Sequence, residues 1–377
     1  MLRGSSVIGL DIGSQQIKAV YLERKRGAWQ LMAAGVQPTP PESVQEGIVT
    51  QKHEVASAIQ GLLRRCNMPA CDAIGAISGA TVSVRQVKVP DMPEASLKKS
   101  IRFEAAKYLP SVQDSALEYA VLGKSGDPLQ LDLLLVAAPL DMVNSRVEAM
   151  ELAGLEPIAI DIEAFALVRA IAATDAGVSP DEPIGVVNIG ATFTDVNIIY
   201  GDALAVTRSI PIGGNALTQS IASAANVTPD EAEHLKRLID VSWPDARFAD
   251  GPLPGGWMGQ PTQLDEVPGL RQALQVTYPF LEEILRDVRR SVNFFQTQFP
   301  ETNLESGISR LIVTGGTARL TGLASYLEAK LSLPVTVLDL FSDVQHLGGV
   351  QIAPSILEDL QTSSIDLSVA TGLALKD

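Results

Sequence analysis

VIGLDIGSQQIKAV, residues 7–20, is the stretch on which the fold turns. An apolar run (Val7, Ile8, Leu10) ends in Asp11, Gly13 and Ser14 follow at once, and polar and apolar residues then alternate through Gln16, Ile17, Lys18 and Ala19 to Val20. The pattern predicts strand, tight turn, strand, with a carboxylate at the mouth of the hairpin. Gly13 is expected to supply the dihedrals of the turn and to let an anionic ligand approach the backbone. Successive N–H groups around such a turn form an anion-binding concavity. Asp11 repels phosphate, but it suits a hydrated Mg²⁺ beside one, because that ion keeps several waters and takes one or two carboxylates. A lone D-x-G turn is common, and an ordinary hairpin with a polar turn reads the same way.

The second half of the chain repeats the first. Asp11-Ile12-Gly13-Ser14, moved 177 residues, falls on Asn188-Ile189-Gly190-Ala191 within GVVNIGATFTDVNIIY, residues 185–200. A period this long indicates duplication of a whole domain and not a solenoid. Two such hairpins facing each other across a cleft grip the phosphates of one nucleotide from both sides, with Thr192 and Thr194 as further hydroxyl donors. A third glycine site follows an apolar strand in Ile312-Val313-Thr314-Gly315-Gly316-Thr317-Ala318-Arg319. Backbone there can lie flat against a base or ribose, or make a plain strand–helix turn. Glu233 and Lys236, three apart on one helix face, suit ribose and base or a surface ion pair. The P-loop and the G-x-G-x-x-G fingerprint are both absent from the sequence.

Composition narrows the classes. At 377 residues, with 46% hydrophobic and 19% charged, the chain suits two globular domains with a large core. A formal net charge of −15 argues against nucleic acid as the main ligand. Cys66 and Cys71 make neither a disulfide framework nor, with three histidines, a zinc pattern. Asp11 interrupts the first apolar run, which excludes a signal peptide reading, and no apolar run approaches the ~18 residues of a membrane span. A cytoplasmic protein without a transmembrane segment is expected.

Further elements follow in order. A third strand is expected at 29–36, a helix at 54–65 and a buried strand at 73–78. Residues 82–158 read as a small β-α-β-α-β unit: strand 82–89, helix 94–109, strand 131–138, helix 140–153, strand 157–162. The basic residues of 98–107 read as a solvated helix face. A small-residue helix (163–173), the second hairpin, a strand at 207–212, helices at 215–225, 229–239 and 278–299, strand 311–314, helix 320–331, strand 335–338 and a last helix 365–375 complete the chain. Residues 241–270, rich in Pro and Gly, read as a loop.

These features resemble the actin and sugar-kinase ATPase superfamily. Within it the chain is similar to the PilM family of type IV pilus assembly, itself related to the division protein FtsA. The specific segments are VIGLDIGSQQIKAV, VKVPDMPEASLKKSIRFEAAKYLP (87–110), DIEAFALVRA (161–170), RRSVNFFQTQ (289–298) and VATGLAL (369–375). The resemblance implies a duplicated α/β fold of the actin-like, ribonuclease H-like kind. Its first core subdomain is 1–81, completed by 159–180 and 365–377, and 82–158 is an inserted subdomain. The second core subdomain is 181–213 with 301–364, and 214–300 forms an adenosine-side subdomain.

It further implies ATP and Mg²⁺ as cofactors. Asp11, Gly13, Ser14, Gln15 and Lys18 belong to the first phosphate loop, with Asp11 reaching Mg²⁺ through water. Asn188, Gly190, Ala191, Thr192 and Thr194 belong to the second, beside Gly214. Glu233 and Lys236 meet ribose and base, with Gly315, Gly316 and Arg319 on the far side. Glu163 or Asp161 could orient water; a first-turn helix carboxylate is the plainer reading of Glu163. The implied partner is the cytoplasmic N-terminal tail of the inner-membrane protein PilN, docked near strand 82–89 and helix 97–109. Other pilus platform proteins, and homo-oligomers, are further partners that the resemblance allows, and the chain would be peripheral to the inner membrane. Asn188 stands where many superfamily members have Asp, which implies slow or absent hydrolysis. A type II secretion component of the L type and a sugar or small-molecule kinase on the same fold stay open.

Overall fold

The computed structural model describes residues 6–109, 112–124, 129–174, 182–201, 203–242, 267–300, 307–341, 346–347, 350–352, 360 and 364–376. Of the Pro/Gly-rich loop expected at 241–270, residues 243–266 lie outside the described residues.

The chain opens with three antiparallel strands, β1 (Ser6–Ile12), β2 (Gln16–Lys25) and β3 (Ala28–Pro38). Arg26 and Gly27 both take positive φ between β2 and β3, which matches the twist of a two-residue hairpin. A short hairpin of β4 (Val44–Gln45) and β5 (Ile48–Val49) leads into α1 (Lys52–Arg65), whose Val55, Ile59, Leu62 and Leu63 form one buried stripe. β6 (Asp72–Ile77) then pairs parallel with β1.

The next strands build a separate sheet. β7 (Ser83–Pro90), α2 (Glu94–Ala105), β8 (Ser115–Lys124) and β9 (Gln130–Pro139) give the antiparallel order β7-β9-β8. Leu97 and Ile101 of α2 pack on Val87, Val89, Leu133 and Leu135 of that sheet. α3 (Leu140–Leu152), β10 (Glu156–Ile162) and α4 (Glu163–Ala172) return the chain to the first sheet, where β10 pairs parallel with β6.

Two expectations for this stretch are corrected. β8 was not anticipated, because its exposed Val121 and Leu122 break the alternation that marks a half-buried strand. The strand at 157–162 does not close the small unit. The apolar pattern of β10 suits either sheet, and the choice is made by pairing with β6, far away in sequence. α3 goes with it: the Ser145 hydroxyl accepts the Val49 N–H at 3.1 Å, and that residue is in β5.

The second half comprises β11 (Ile184–Ile189), β12 (Thr194–Tyr200), β13 (Ala203–Ile210), α5 (Gly214–Ala225), α6 (Pro229–Leu238), α7 (Leu270–Gln298), β14 (Arg310–Thr314), α8 (Leu323–Leu331) and β15 (Val335–Val337). The Thr228–Glu231 capping box and Pro229 start α6. α7 begins eight residues before its expected start, at Gly269 in the left-handed conformation, and carries Pro279 in its interior. Strands β16 (His346–Leu347) and β17 (Val350–Ile352) extend the first sheet beyond β3, and α9 (Ser368–Ala374) ends the described chain.

Sheet order shows the duplication directly. The first sheet runs β10-β6-β1-β2-β3-β17-β16 and the second β13-β12-β11-β14-β15. In each, an antiparallel three-strand meander is followed by two parallel strands on the side of its first strand. α4 and α9 cross at the junction of the halves. A Cβ on Gly372 of α9 would run into the Ala166 carbonyl of α4, and one on Gly9 of β1 into the Ala370 carbonyl of α9. Small residues are therefore required along this crossing by backbone-to-backbone contact.

Candidate functional site

The two expected hairpins form with matching registers. Asp11 pairs with Lys18 and Ile12 with Ile17; 177 residues on, Asn188 pairs with Asp195 and Ile189 with Thr194. Each turn closes on its glycine: Gly13 N–H donates to the Gln16 carbonyl at 3.0 Å, and Gly190 N–H to the Phe193 carbonyl at 2.9 Å. Neither glycine has positive φ, so the expected dihedral role is corrected. Glycine is needed because a Cβ would sit 3.0 Å from that same carbonyl in both turns.

The turns touch across the cleft. Ser14 Oγ and Thr192 Oγ1 are 2.7 Å apart, and Gln15 Nε2 donates to Asn215 Oδ1 at 3.1 Å. Behind them lies a cavity of about 820 Å³. Every residue singled out from the sequence as a ligand or catalytic candidate lines it except Thr194 and Asp161. Thr194 is buried and its hydroxyl donates to the Ile212 carbonyl at 2.7 Å, so it fixes the hairpin instead. Asp161 is held by Arg169 at 2.5 Å and Lys376 at 3.0 Å, which removes it as a water-orienting group.

Acids gather at one end. Asp11 is 5% exposed and accepts from Lys18 Nζ at 3.0 Å. Burial pulls the Lys18 pKa down, but the charge of Asp11, with smaller help from Glu163 and Asp366, outweighs it and holds the ammonium above its usual value. Glu163, the first residue of α4, accepts from Ser78 Oγ at 2.7 Å and Asn188 Nδ2 at 3.3 Å. Burial, then repulsion from Asp11 and Asp195, pushes its carboxyl up to about 8. Burial likewise pushes Asp195 up to about 6.

The other end is built from α5, α6 and the turn after β14. Lys236 Nζ donates to the Gly214 carbonyl at 3.1 Å, to Thr218 Oγ1 at 3.2 Å and to Glu233 at 3.2 Å. The expected ion pair thus exists, and it also lines the cavity. A Cβ on Gly214 would meet Thr317 Oγ1 at 2.6 Å. Gly315 has φ +89° and faces Asn188 Oδ1 closely. Arg319 pairs with Asp366 at 2.7 Å.

Sequence reasoning missed Arg146, Asp195, Ser78 and Thr218, all lining the cavity. A signal existed for Asp195, because Lys18 moved by the repeat period falls on it. No signal existed for Arg146, whose place depends on α3 returning to the first sheet.

Two duplicated halves, joined by crossing helices and closed by paired glycine turns over a polar cleft, define an actin-like ATPase fold. The chain belongs to the family of type IV pilus assembly protein PilM, whose pattern matches residues 9–246 and 268–377. The solved PilM-PilN type IV pilus biogenesis complex contains a chain similar to it at TM-score 0.79 and 26% identity, covering 99% of this chain and 98% of that one. The cell division protein FtsA of Escherichia coli strain K12 is 24% identical over 379 residues, covering 90% of this chain and 87% of the relative. FtsA of Neisseria meningitidis serogroup B is 22% identical over 372 residues, covering 90% and 84%. MreB5 of Spiroplasma citri, solved bound to AMPPNP, shares the fold at TM-score 0.50 and 15% identity, covering 89% and 92%. Among the described residues no helix is long and apolar enough to cross a membrane.

Proposed function

We propose that this chain is a cytoplasmic scaffold of the type IV pilus assembly platform that holds ATP with Mg²⁺ in its cleft and docks the cytoplasmic N-terminal tail of a PilN-like inner-membrane protein. The observation that carries the nucleotide reading is the meeting of Ser14 and Thr192 over the cavity. Two anion-binding turns there face one space from opposite halves.

The residues fit the group. A volume of about 820 Å³ lies within the ~300–1,000 Å³ of small-molecule sites. Gly13, Gly190 and Gly214 leave room where a Cβ would crowd the turn atoms behind them. Asp11 and Asp195 both disfavour a charge on Glu163 at the phosphate end, and a cation bound there would relieve that repulsion. Among the described residues no three His, Cys, Asp or Glu side chains could hold a metal between them, so Asp11 would hold Mg²⁺ through water. The ion supplies neutralisation of phosphate charge when bound.

The chain's own groups support holding ATP over turning it over. Asn188 can orient a water but takes no proton from it. Glu233 and Lys236 would meet ribose and base, with Gly315, Gly316 and Arg319 opposite.

For the partner, β7 is an edge strand with Arg85, Gln86 and Lys88 exposed, and an extended peptide can add to such an edge. Exposed Phe103 lies in the last turn of α2, and exposed Tyr108, three residues beyond the helix, donates its hydroxyl to the Lys88 carbonyl of β7 at 2.8 Å. In this reading the small sheet with α2, β7 to β9, is the partner-binding insert, and membrane attachment comes from the partner. The solved PilM-PilN complex, with a chain 26% identical to this one, supports a PilN-like partner.

Calorimetry with ATP and Mg²⁺ tests the nucleotide site: Asp11→Ala should weaken binding about tenfold or more. Unchanged affinity removes the assignment. Fluorescence anisotropy with a tail peptide tests the dock. Arg85→Glu with Phe103→Ser should abolish binding, and full retention would move the partner elsewhere.

A further inference from the structure

Arg146 lies on α3, the helix that leads from the small sheet back to the large one. It is 3% exposed, yet it lines the cleft cavity. Its hydrogen bonds both leave from Nη1, to the carbonyls of Gly47 and Met142. Nε is buried and has no partner among the described residues. No ion pair to it occurs among the described residues either. Burial presses its pKa down, and the charges of Glu163 and Asp11 act the other way.

A guanidinium stays charged inside a protein and carries five donors in a planar fork. Burying it with most of that fork unused is costly. The cost is offset when an anion enters that takes two parallel N–H bonds, as phosphate does. Arg146 shares its end of the cavity with Asp11 and Glu163, beside the phosphate turns. The nucleoside end, with Glu233 and Lys236, comes from the other half of the chain.

We infer that Arg146 is a ligand of the terminal phosphate of a bound nucleoside triphosphate, supplied from the root of the inserted sheet. This rests on the nucleotide reading above and adds to it a residue that distinguishes tri- from diphosphate. The anchors of α3 give the contact a consequence. Ser145 holds β5, and the Leu140 N–H donates to the Asp114 carbonyl at 3.0 Å, just before β8. A phosphate that draws on Arg146 therefore draws on the helix that roots the small sheet.

The test is calorimetry of the full chain with ATP and with ADP, each with Mg²⁺, for wild type, Arg146→Gln and Arg146→Lys. Arg146→Gln should lose about tenfold or more in ATP affinity while ADP changes by less than about twofold, and Arg146→Lys should recover part of the ATP loss. Melting of the nucleotide-free protein should be unchanged or raised in Arg146→Gln, because an unsatisfied buried charge is removed. Equal loss of ATP and ADP overturns the inference, as does a lowered melting temperature with ATP discrimination intact. Wild type that binds neither nucleotide overturns the nucleotide reading as well. Should Arg146→Gln fail to fold, Arg146→Lys alone decides: an unchanged ATP-to-ADP ratio counts against the inference and a reduced one supports it.

Discussion

Asp195 stands directly across the second hairpin from Asn188, in the place that Lys18 takes across the first from Asp11. The two jaws therefore differ in charge order and not only in one lost acid. The first carries acid opposite base, and the second carries amide opposite acid. Glu163 lies where both act on it. It accepts from Asn188 and is repelled by Asp11 and Asp195. Taken alone, Asn188 implies a second jaw without a carboxylate, and the cross-strand register corrects that.

These acids set a pH dependence. Glu163 keeps its proton up to about pH 8 in the folded chain, against an ordinary value of 4.5. Between those values the folded state binds more protons than the unfolded one, so stability falls as pH rises. The stabilising contribution is complete below 4.5 and lost on passing about 8. Asp195 acts with the same sign between 3.8 and about 6. The melting temperature of the nucleotide-free protein should fall from about pH 5 to about pH 8.5, with Glu163→Gln reducing the slope throughout and Asp195→Asn only below about pH 6. Parallel curves for wild type and Glu163→Gln would contradict this.

The contact between Ser14 and Thr192 joins the halves at their tips. Urea unfolding of Ser14→Ala, Thr192→Val and the double variant should give a coupling of about 1 kcal/mol. Strictly additive effects would mean that the hydroxyls do not hold the cleft closed in solution.

Gly372→Ala should destabilise the chain by about 3 kcal/mol, at the upper end for overpacking. The new methyl meets the backbone of Ala166, which has no rotamer to move away. A melting curve within experimental error of wild type would show that α4 and α9 can separate freely.

Lys236→Met should weaken ATP and ADP alike, by about tenfold. Its ammonium joins Gly214, Thr218 and Glu233 at the end of the cavity proposed for the nucleoside. A selective loss of ATP, the pattern expected for Arg146→Gln, would place Lys236 at the wrong end of the cavity.

Much of this was legible in the chain because it is local. VIGLDIGSQQIKAV and its copy at 185–200 encode their hairpins by alternation and a glycine, and the repeat period gave the pairing of the halves. The helices α1 and α4 carry their own periodicity, and α6 its own capping box. β8 escapes the pattern because exposed Val121 and Leu122 interrupt the alternation that half-buried Leu117 and Tyr119 begin, and Thr194 turns to the Ile212 carbonyl because a hydroxyl beside the turn can point to either side of the strand.

The sequence by itself determined the two hairpins, the glycines that bring their turns close and the small-residue helices that let the halves meet. Each of these is written in residues a few positions apart. Only the tertiary structure decided that β10 pairs with β6, that α3 follows it, and that Arg146 and Asp195 face one cavity with Glu163. Strand partners and buried charges are chosen by groups distant in the sequence, as in the pairing of Ile162 with Ile77. Their energies depend on burial and on which opposite or like charges come near, and neither quantity exists until the chain has folded.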